Sequence, residues 1–373
     1  MKILFACGGT GGHINPAIAI ASTLKAKQPD AQILFAGNPK GMEAKLVPQA
    51  GFDFAPITIK GFQRKLTWFN IKYNISSLFY LTTASARSKK LIEGFGPDLV
   101  VGTGGYVSGP ILRKAAQMGI RTASHESNAF PGVTTKLLSR YVDEILLAVP
   151  EAKKYLDPNC KELVVGNPVR ESIVYADREQ ARKKLGVGDK MCIVSFGGSL
   201  GARRVNEVVA DLCAWEQQEH KPVLHLHATG QYGVQLFKDL EKEKNFAEGS
   251  SLVVKEYINN MPELLAAADL VISRAGALTL AELEAVGRAA VLIPSPNVAE
   301  NHQYFNAMEL QKAGAAVVIE EKDLTGEKLV GTVADLLAQP GKLAEMGRNA
   351  RSLSVDDSLD RIAAALMKLV QKH

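Results

Sequence analysis

The 373-residue chain has only four cysteines, Cys7, Cys160, Cys192 and Cys213, with no Cys-x-x-Cys pair and no Cys/His metal spacing. That excludes a zinc ribbon and a disulfide framework, and it fits a reducing compartment. No apolar run reaches the ~18 residues that a membrane-spanning helix needs. The apolar start at residues 1–7 gives way to glycine too soon for the hydrophobic region of a signal peptide. It reads as a first strand, with no mark for export. Three phosphate signatures are also missing. GxxxxGK[ST] is absent, which argues against a P-loop NTPase. The glycine run GGTGGH does not meet GxGxxG, and Gly37-Asn38 stands where a dinucleotide fold carries a ribose-binding acid. There is no Asp-x-Asp to clamp a diphosphate through a metal. A nucleoside diphosphate held by backbone amides and arginine, without metal or other cofactor, remains.

What is present is an ordinary globular composition, 46% hydrophobic and 22% charged, at a length that suggests two domains. The net charge of +5 is uneven. Residues 1–163 carry 20 Lys+Arg against 11 Asp+Glu, while the remainder carries 24 against 28. Only the first half is suited to an anionic surface.

An approximate internal repeat organises the chain. Residues 2–7 are an apolar strand followed by GGTGGH (Gly8 to His13) and a helical pattern over 16–24. Residues 191–196 are a second such strand, followed by GGSLGAR (Gly197 to Arg203) and a helix through Leu212. A glycine loop between a buried strand and a helix lets N–H groups approach an anion, and the helix end adds partial positive charge. Further strands are expected at 32–36, 98–101, 144–147, 224–228, 252–254, 270–273, 290–293 and 316–319, alternating with helices. The fold class is therefore α/β: two Rossmann-like doubly wound parallel-sheet domains whose glycine loops face a cleft.

Seven motifs then occur in order: GGTGGH, GTGGYVSGP (102–110), HESN (125–128), GNPVR (166–170), GGSLGAR, SRAGALTLAE (273–282) and ENHQ (300–303). Together they resemble the MurG family of bacterial N-acetylglucosaminyltransferases, over nearly the whole chain. Leu200 and Ser127 stand where many members carry glutamine. The resemblance implies a GT-B fold with an acceptor- and membrane-facing domain at 1–163, and a UDP-GlcNAc-binding domain at 164–354. A C-terminal helix, 355–373, would cross back to the first domain. It also implies inverting, metal-independent transfer of GlcNAc from UDP-GlcNAc to the 4-hydroxyl of MurNAc in undecaprenyl-pyrophosphoryl-MurNAc-pentapeptide (lipid I), forming lipid II. The enzyme would lie peripherally on the cytoplasmic face of the bacterial inner membrane, among other cell-wall synthesis proteins.

Individual residues carry these expectations. His13, at a helix start, fits either a packing imidazole or a polar group that accepts the acceptor hydroxyl proton; the family treats the position as important. Thr10, Gly11 and Gly12 would lie beside donor sugar and diphosphate. Ser199 and the amides of 198–201 would stabilise departing UDP. Arg170 would add a guanidinium to the diphosphate or form a surface ion pair. Glu282 would either favour its helix dipole or accept both ribose hydroxyls, with Ala277, Leu278, Thr279, Leu280 and Ala281 beside it in the same motif. Ile258 would offer backbone contacts to uracil, Gln303 and Asn301 would hold GlcNAc hydroxyls, and Asn128 and His125 would reach either sugar. His225 and His227 alternate as sheet residues, and His220 and His373 read as surface.

The segment 54–92 has no acid, seven basic residues including Arg64, Lys65 and Lys72, and aromatics including Trp68 and Phe69. It describes an amphipathic helix on the sheet or, over 60–90, a contact with anionic membrane. No RNP or KH motif supports nucleic acid. Two rivals share the residues: a UDP-GlcNAc 2-epimerase, which needs no lipid contact, and a non-catalytic sugar-nucleotide-binding subunit, which needs no His13.

Overall fold

The computed structural model describes residues 1–59 and 83–371. The chain divides into two compact units, Met1–Pro168 with Asp357–His373, and Val169–Asp356. Arg64, Lys65, Trp68, Phe69, Lys72 and most of the 60–90 segment, together with His373, lie outside the described residues.

The first unit is built on seven parallel strands: β1 (Lys2–Ala6), β2 (Gln32–Gly37), β3 (Asp53–Pro56), β4 (Leu99–Gly102), β5 (Arg121–Glu126), β6 (Glu144–Leu147) and β7 (Glu162–Val164), in the order β3-β2-β1-β4-β5-β6-β7. The central strand β1 pairs on both sides, Leu4 opposite Leu34 and Val100. Its sequence KILFA is apolar throughout because both faces are covered. Ile3 and Phe5 join Ile14, Ile20 and Leu24 on one face; Leu4 and Ala6 join Ile111 and Leu112 on the other. The C-terminal helix Ser358–Gln371 closes the first of these layers with Ile362 and Leu366, both fully buried, and Lys27 pairs with Asp360 at 2.7 Å.

The second unit repeats the plan with β8 (Met191–Phe196), β9 (Val223–Ala228), β10 (Leu252–Lys255), β11 (Leu270–Ser273), β12 (Ala289–Leu292) and β13 (Ala316–Val318), in the order β10-β9-β8-β11-β12-β13, again all parallel. The strand after each glycine loop's own strand in sequence lies on one side, and the order reverses on the other. Each unit therefore has its switch point beside its glycine loop.

Two sequence expectations are revised. The strand expected just before His125 and Asn128 runs over Arg121–Glu126 and takes in His125 itself, although RTASHE has no apolar alternation. Two of its polar residues are bonded internally: the Thr122 amide and hydroxyl bond Asp143 at 2.8 and 3.0 Å, and His125 bonds the Gly166 carbonyl at 3.0 Å. The first helix begins at Gly11 rather than near Pro16 and runs to Lys27. Thr10 is its extended N-cap residue, and its carbonyl accepts the His13 and Ile14 amides at 3.0 and 3.2 Å. Pro16 lies inside this helix, one turn past its start, and offers no amide to the ladder there.

Leu366 anchors the returning helix, so Leu366→Ala should cost about 2–5 kcal/mol of stability. Urea unfolding followed by circular dichroism checks this; a loss under about 0.5 kcal/mol would mean that the helix is peripheral to the core.

Candidate functional site

In the second unit the loop after β8 opens onto a cavity of about 710 Å³. Gly197, Gly198 and Gly201 form one wall, Gly276 and Thr279 another, and Ser295, Asn297 and Gln303 a third. The loop is shaped by backbone contact. A Cβ on Gly201 would meet the Thr229 carbonyl oxygen at 2.3 Å, and one on Gly230 would meet the Gly201 nitrogen at 2.0 Å. Only glycine permits this approach. Three arginines line the cavity with two carboxylates. Glu207 accepts from Arg203 at 2.9 Å and from Arg204 at 3.1 Å. Burial raises its carboxyl pKa, but the two guanidiniums more than offset this and hold it below the usual carboxylate value. Arg274, 13% exposed, is ion-paired with Glu321 and donates to the carbonyls of Ile293 and Pro294, each at 3.2 Å. The cavity thus combines a tight glycine loop with three arginines, of which Arg274 is held in place, a lining that suits a phosphorylated ligand.

The candidate residues of this unit fall into three groups. Thr279 and Gln303 line the cavity, and the Gln303 side-chain carbonyl accepts the Ser295 amide at 2.9 Å, which leaves its NH₂ to donate. Ser199 is exposed on the glycine loop. Arg170 and Glu282 face each other at 3.8 Å and are not among the cavity-lining residues. Burial pushes the Glu282 carboxyl up to about 7, opposed by Arg170. Ala277, Leu278, Leu280 and Ala281 belong to the helix Ala277–Val286; the side chains of Leu280 and Ala281 are in the core, as is that of Ile258. Asn301 is exposed, in a left-handed backbone conformation. His225 and His227 are buried sheet residues whose rings lie 2.7 and 2.8 Å from the Ser195 hydroxyl. His225 also bonds Glu216 at 2.9 Å, and His220 is exposed.

In the first unit the loop after β1 packs against the GTGGYVSGP turn. A Cβ on Gly105 would lie 2.2 Å from the Gly8 carbonyl oxygen. His13 is partly buried in this contact. Its Nδ1 lies 3.0 Å from the Thr103 carbonyl, and the Thr103 hydroxyl donates to the His13 carbonyl at 2.6 Å. A carbonyl only accepts, so Nδ1 carries the proton and Nε2 the lone pair of the neutral ring. Thr10 and Gly12 are exposed beside it, and Gly11 is partly so. Asn128 follows β5, its amide and side chain bonded to Glu126 at 3.0 and 2.9 Å. His125 is fully buried, with desolvation lowering its pKa, and serves packing rather than a sugar.

Sequence reasoning missed two buried carboxylates. Glu126 also accepts the Gly132 amide at 3.1 Å and the Thr135 hydroxyl at 2.5 Å, which knits the loop carrying Asn128. It stood inside the HESN motif and could have been singled out there. Glu43 lies beneath the first glycine loop, accepting the Asn38 amide at 2.9 Å and the Gly9 amide at 3.4 Å. No local pattern marked it.

Comparison with known proteins agrees with this arrangement. The N-terminal domain of glycosyltransferase family 28 matches residues 3–147 and its C-terminal domain residues 192–362. Two curated relatives carry the name UDP-N-acetylglucosamine--N-acetylmuramyl-(pentapeptide) pyrophosphoryl-undecaprenol N-acetylglucosamine transferase. The one from Acetivibrio thermocellus is 42% identical over 97% of this chain and 96% of its own length. The one from a Thermoanaerobacter species is 45% identical over 97% and 98%. The crystal structure of Acinetobacter baumannii MurG superposes with a TM-score of 0.78 at 29% identity, covering 98% of this chain and 99% of that one. Two parallel-sheet units of this kind, matched by both family 28 domains, make the chain a glycosyltransferase of the GT-B fold. The chain belongs to glycosyltransferase family 28 and, within it, to the MurG family.

Glu284 gives a test of the electrostatics of the site helix. It is partly buried, and burial pushes its carboxyl up to about 8. A carboxyl raised in the folded state favours folding while protonated, so its contribution is lost as pH rises from about 4.5 towards 8. Glu284→Gln should remove that slope and stabilise the protein at pH 9 by roughly 1–3 kcal/mol relative to wild type, with little difference at pH 4. Parallel unfolding curves for the two proteins across this range would contradict it.

Proposed function

We propose that the chain transfers N-acetylglucosamine from UDP-GlcNAc to the 4-hydroxyl of MurNAc in undecaprenyl-pyrophosphoryl-MurNAc-pentapeptide, forming lipid II with inversion at the anomeric carbon. The observation that supports this best is the second unit's glycine-walled cavity with its fixed arginines, in a chain 42–45% identical over nearly its full length to transferases named for that reaction. In this reading Met1–Pro168 serves the acceptor and Val169–Asp356 the donor.

The chemistry follows from the residues. The acceptor hydroxyl oxygen attacks C1 of GlcNAc as the bond from C1 to the diphosphate oxygen breaks, and that electron pair leaves with UDP. His13 takes the hydroxyl proton on Nε2, the nitrogen left basic by the Nδ1 bond to Thr103. Thr10, Gly11 and Gly12 approach the reacting sugars, and Asn128 holds a sugar hydroxyl. Around the donor, the 198–200 amides, Ser199 and the cavity arginines meet the growing charge on UDP. Glu282 accepts the ribose hydroxyls, with Arg170 beside it, and the 277–281 turn and Ile258 offer backbone groups. Gln303 donates to GlcNAc. These donors do the work a divalent ion does in other diphosphate sites, so no cofactor is required.

Purified protein, labelled UDP-GlcNAc and a lipid I analogue test the reading, with a β-linked disaccharide as expected product. His13→Ala should lower turnover by about 10²–10⁴-fold with UDP affinity unchanged. Gly104→Ala should act likewise, since a Cβ there meets His13 Nδ1 at 2.6 Å and the residue sits at φ +99°. Glu282→Ala should weaken UDP-GlcNAc binding by about 1–3 kcal/mol instead. Turnover of His13→Ala at the wild-type rate would make the imidazole a packing group. UDP-GlcNAc conversion to UDP-ManNAc without acceptor would support the epimerase.

The acceptor's lipid places part of the first unit at a membrane surface. Among the described residues no helix is long and apolar enough to cross a membrane. Val133, Leu137 and Tyr141 are instead exposed together on one helix and its end, with the Arg113 guanidinium 5.0 Å from the Tyr141 ring. Basic residues contribute about 1 kcal/mol each near an anionic leaflet, and a buried apolar side chain about 1.5–3 kcal/mol. Vesicles rich in anionic lipid should bind the protein, less so in high salt and with Arg64, Lys65 and Lys72 reversed in charge. Trp68 and Phe69 changed to Ser should weaken the salt-resistant part. Equal binding to neutral and anionic vesicles by all variants would remove the segment 60–90 from the membrane contact.

A further inference from the structure

Two of the three arginines that line the donor cavity are tied to one short turn. Arg274 has five N–H donors, of which the carbonyls of Ile293 and Pro294 take the two on Nη1 and Glu321 takes one on Nη2. Two donors remain for a ligand. Glu321 opens the turn Glu321–Asp323, and the next residue, Leu324, offers its carbonyl to Arg204 at 2.5 Å. One turn after β13 therefore holds arginines from two walls of the cavity, Arg204 from the helix after the glycine loop and Arg274 from the segment after β11. Thr325 fixes the turn from behind by capping the next helix, its side chain accepting the Lys328 amide at 3.1 Å.

A guanidinium recognises a phosphate through a planar pair of N–H groups, so its orientation decides its worth. An arginine that is only 13% exposed, with its plane set by two carbonyls and a carboxylate, presents its remaining donors without losing rotamer freedom on binding. Resting on the reading of this cavity as the donor site, we propose that Glu321 is a positioning residue. It orients Arg274 toward the second phosphate of the nucleoside diphosphate, so the pair sets the preference for a nucleoside diphosphate over a monophosphate. Glu321 touches no substrate and acts through Arg274.

The test is calorimetric binding of UDP and UMP to the full chain. Wild type should favour UDP, and Glu321→Ala should reduce the UDP-to-UMP affinity ratio by about tenfold, mainly through weaker UDP binding. Arg274→Lys keeps the charge but loses the fork and should reduce the ratio as far. The double variant should lose no more than Arg274→Lys alone, because both changes remove the same interaction. Should Glu321→Ala fail to fold, Glu321→Gln replaces it in the cycle, with a smaller loss of the ratio and the same non-additivity. A ratio unchanged from wild type, or losses that add in the double variant, would overturn the positioning role while leaving the donor site intact. Failure of wild type to bind UDP at all would overturn the donor-site reading as well.

Discussion

Each unit depends on one close approach of backbone to backbone at the end of its central strands. In the first, Gly105 sits against the Gly8 carbonyl; in the second, Gly230 sits against Gly201, at separations no Cβ could occupy. These contacts fix where a glycine loop ends and where its helix begins. In the first unit the same contact brings Thr103 to His13 and so decides which ring nitrogen is basic. In the second it leaves the loop glycines lining a cavity. The parallel sheets beneath supply rigidity: inner strands such as β4 and β12 are apolar and fully buried, so the loops cannot shift without disturbing a packed core.

Charge then distinguishes two loops that look alike. Beneath the first lies the Glu43 carboxylate, already bonded to the Gly9 amide. A loop whose donor faces a buried carboxylate is poorly suited to hold a second anion. The second loop has no such group beneath it among the described residues; Arg203, Arg204 and Arg274 line its cavity instead. Their carboxylate partners, Glu207 and Glu321, hold the guanidiniums in place and lower the cost of grouping three cations. The two loops differ in these charges although they share the glycine pattern.

Much of the fold was legible because it is written in short contiguous runs. Strands such as Met191–Phe196 and Leu270–Ser273 fall where apolar β-branched residues predict them. The extent of β5 shows the limit: its polar residues Thr122 and His125 make sense only once Asp143 and Gly166 are brought to them by the chain's return. The candidate site shows the same division. Local motifs pointed to Thr279 and Gln303, which line the cavity, and to His13, which lies on the glycine contact. Glu43 and Glu321 act at a distance in sequence, and nothing in their neighbours announces it. Ile258 was expected to offer backbone groups alone, and its side chain is committed to the core.

The central claim is that amides and fixed arginines replace a metal in holding the departing diphosphate. Transfer of labelled GlcNAc from UDP-GlcNAc to a lipid I analogue, measured with and without EDTA, tests it most directly. The account predicts equal rates after exhaustive chelation. Loss of most activity in EDTA, restored by magnesium or manganese, would contradict it.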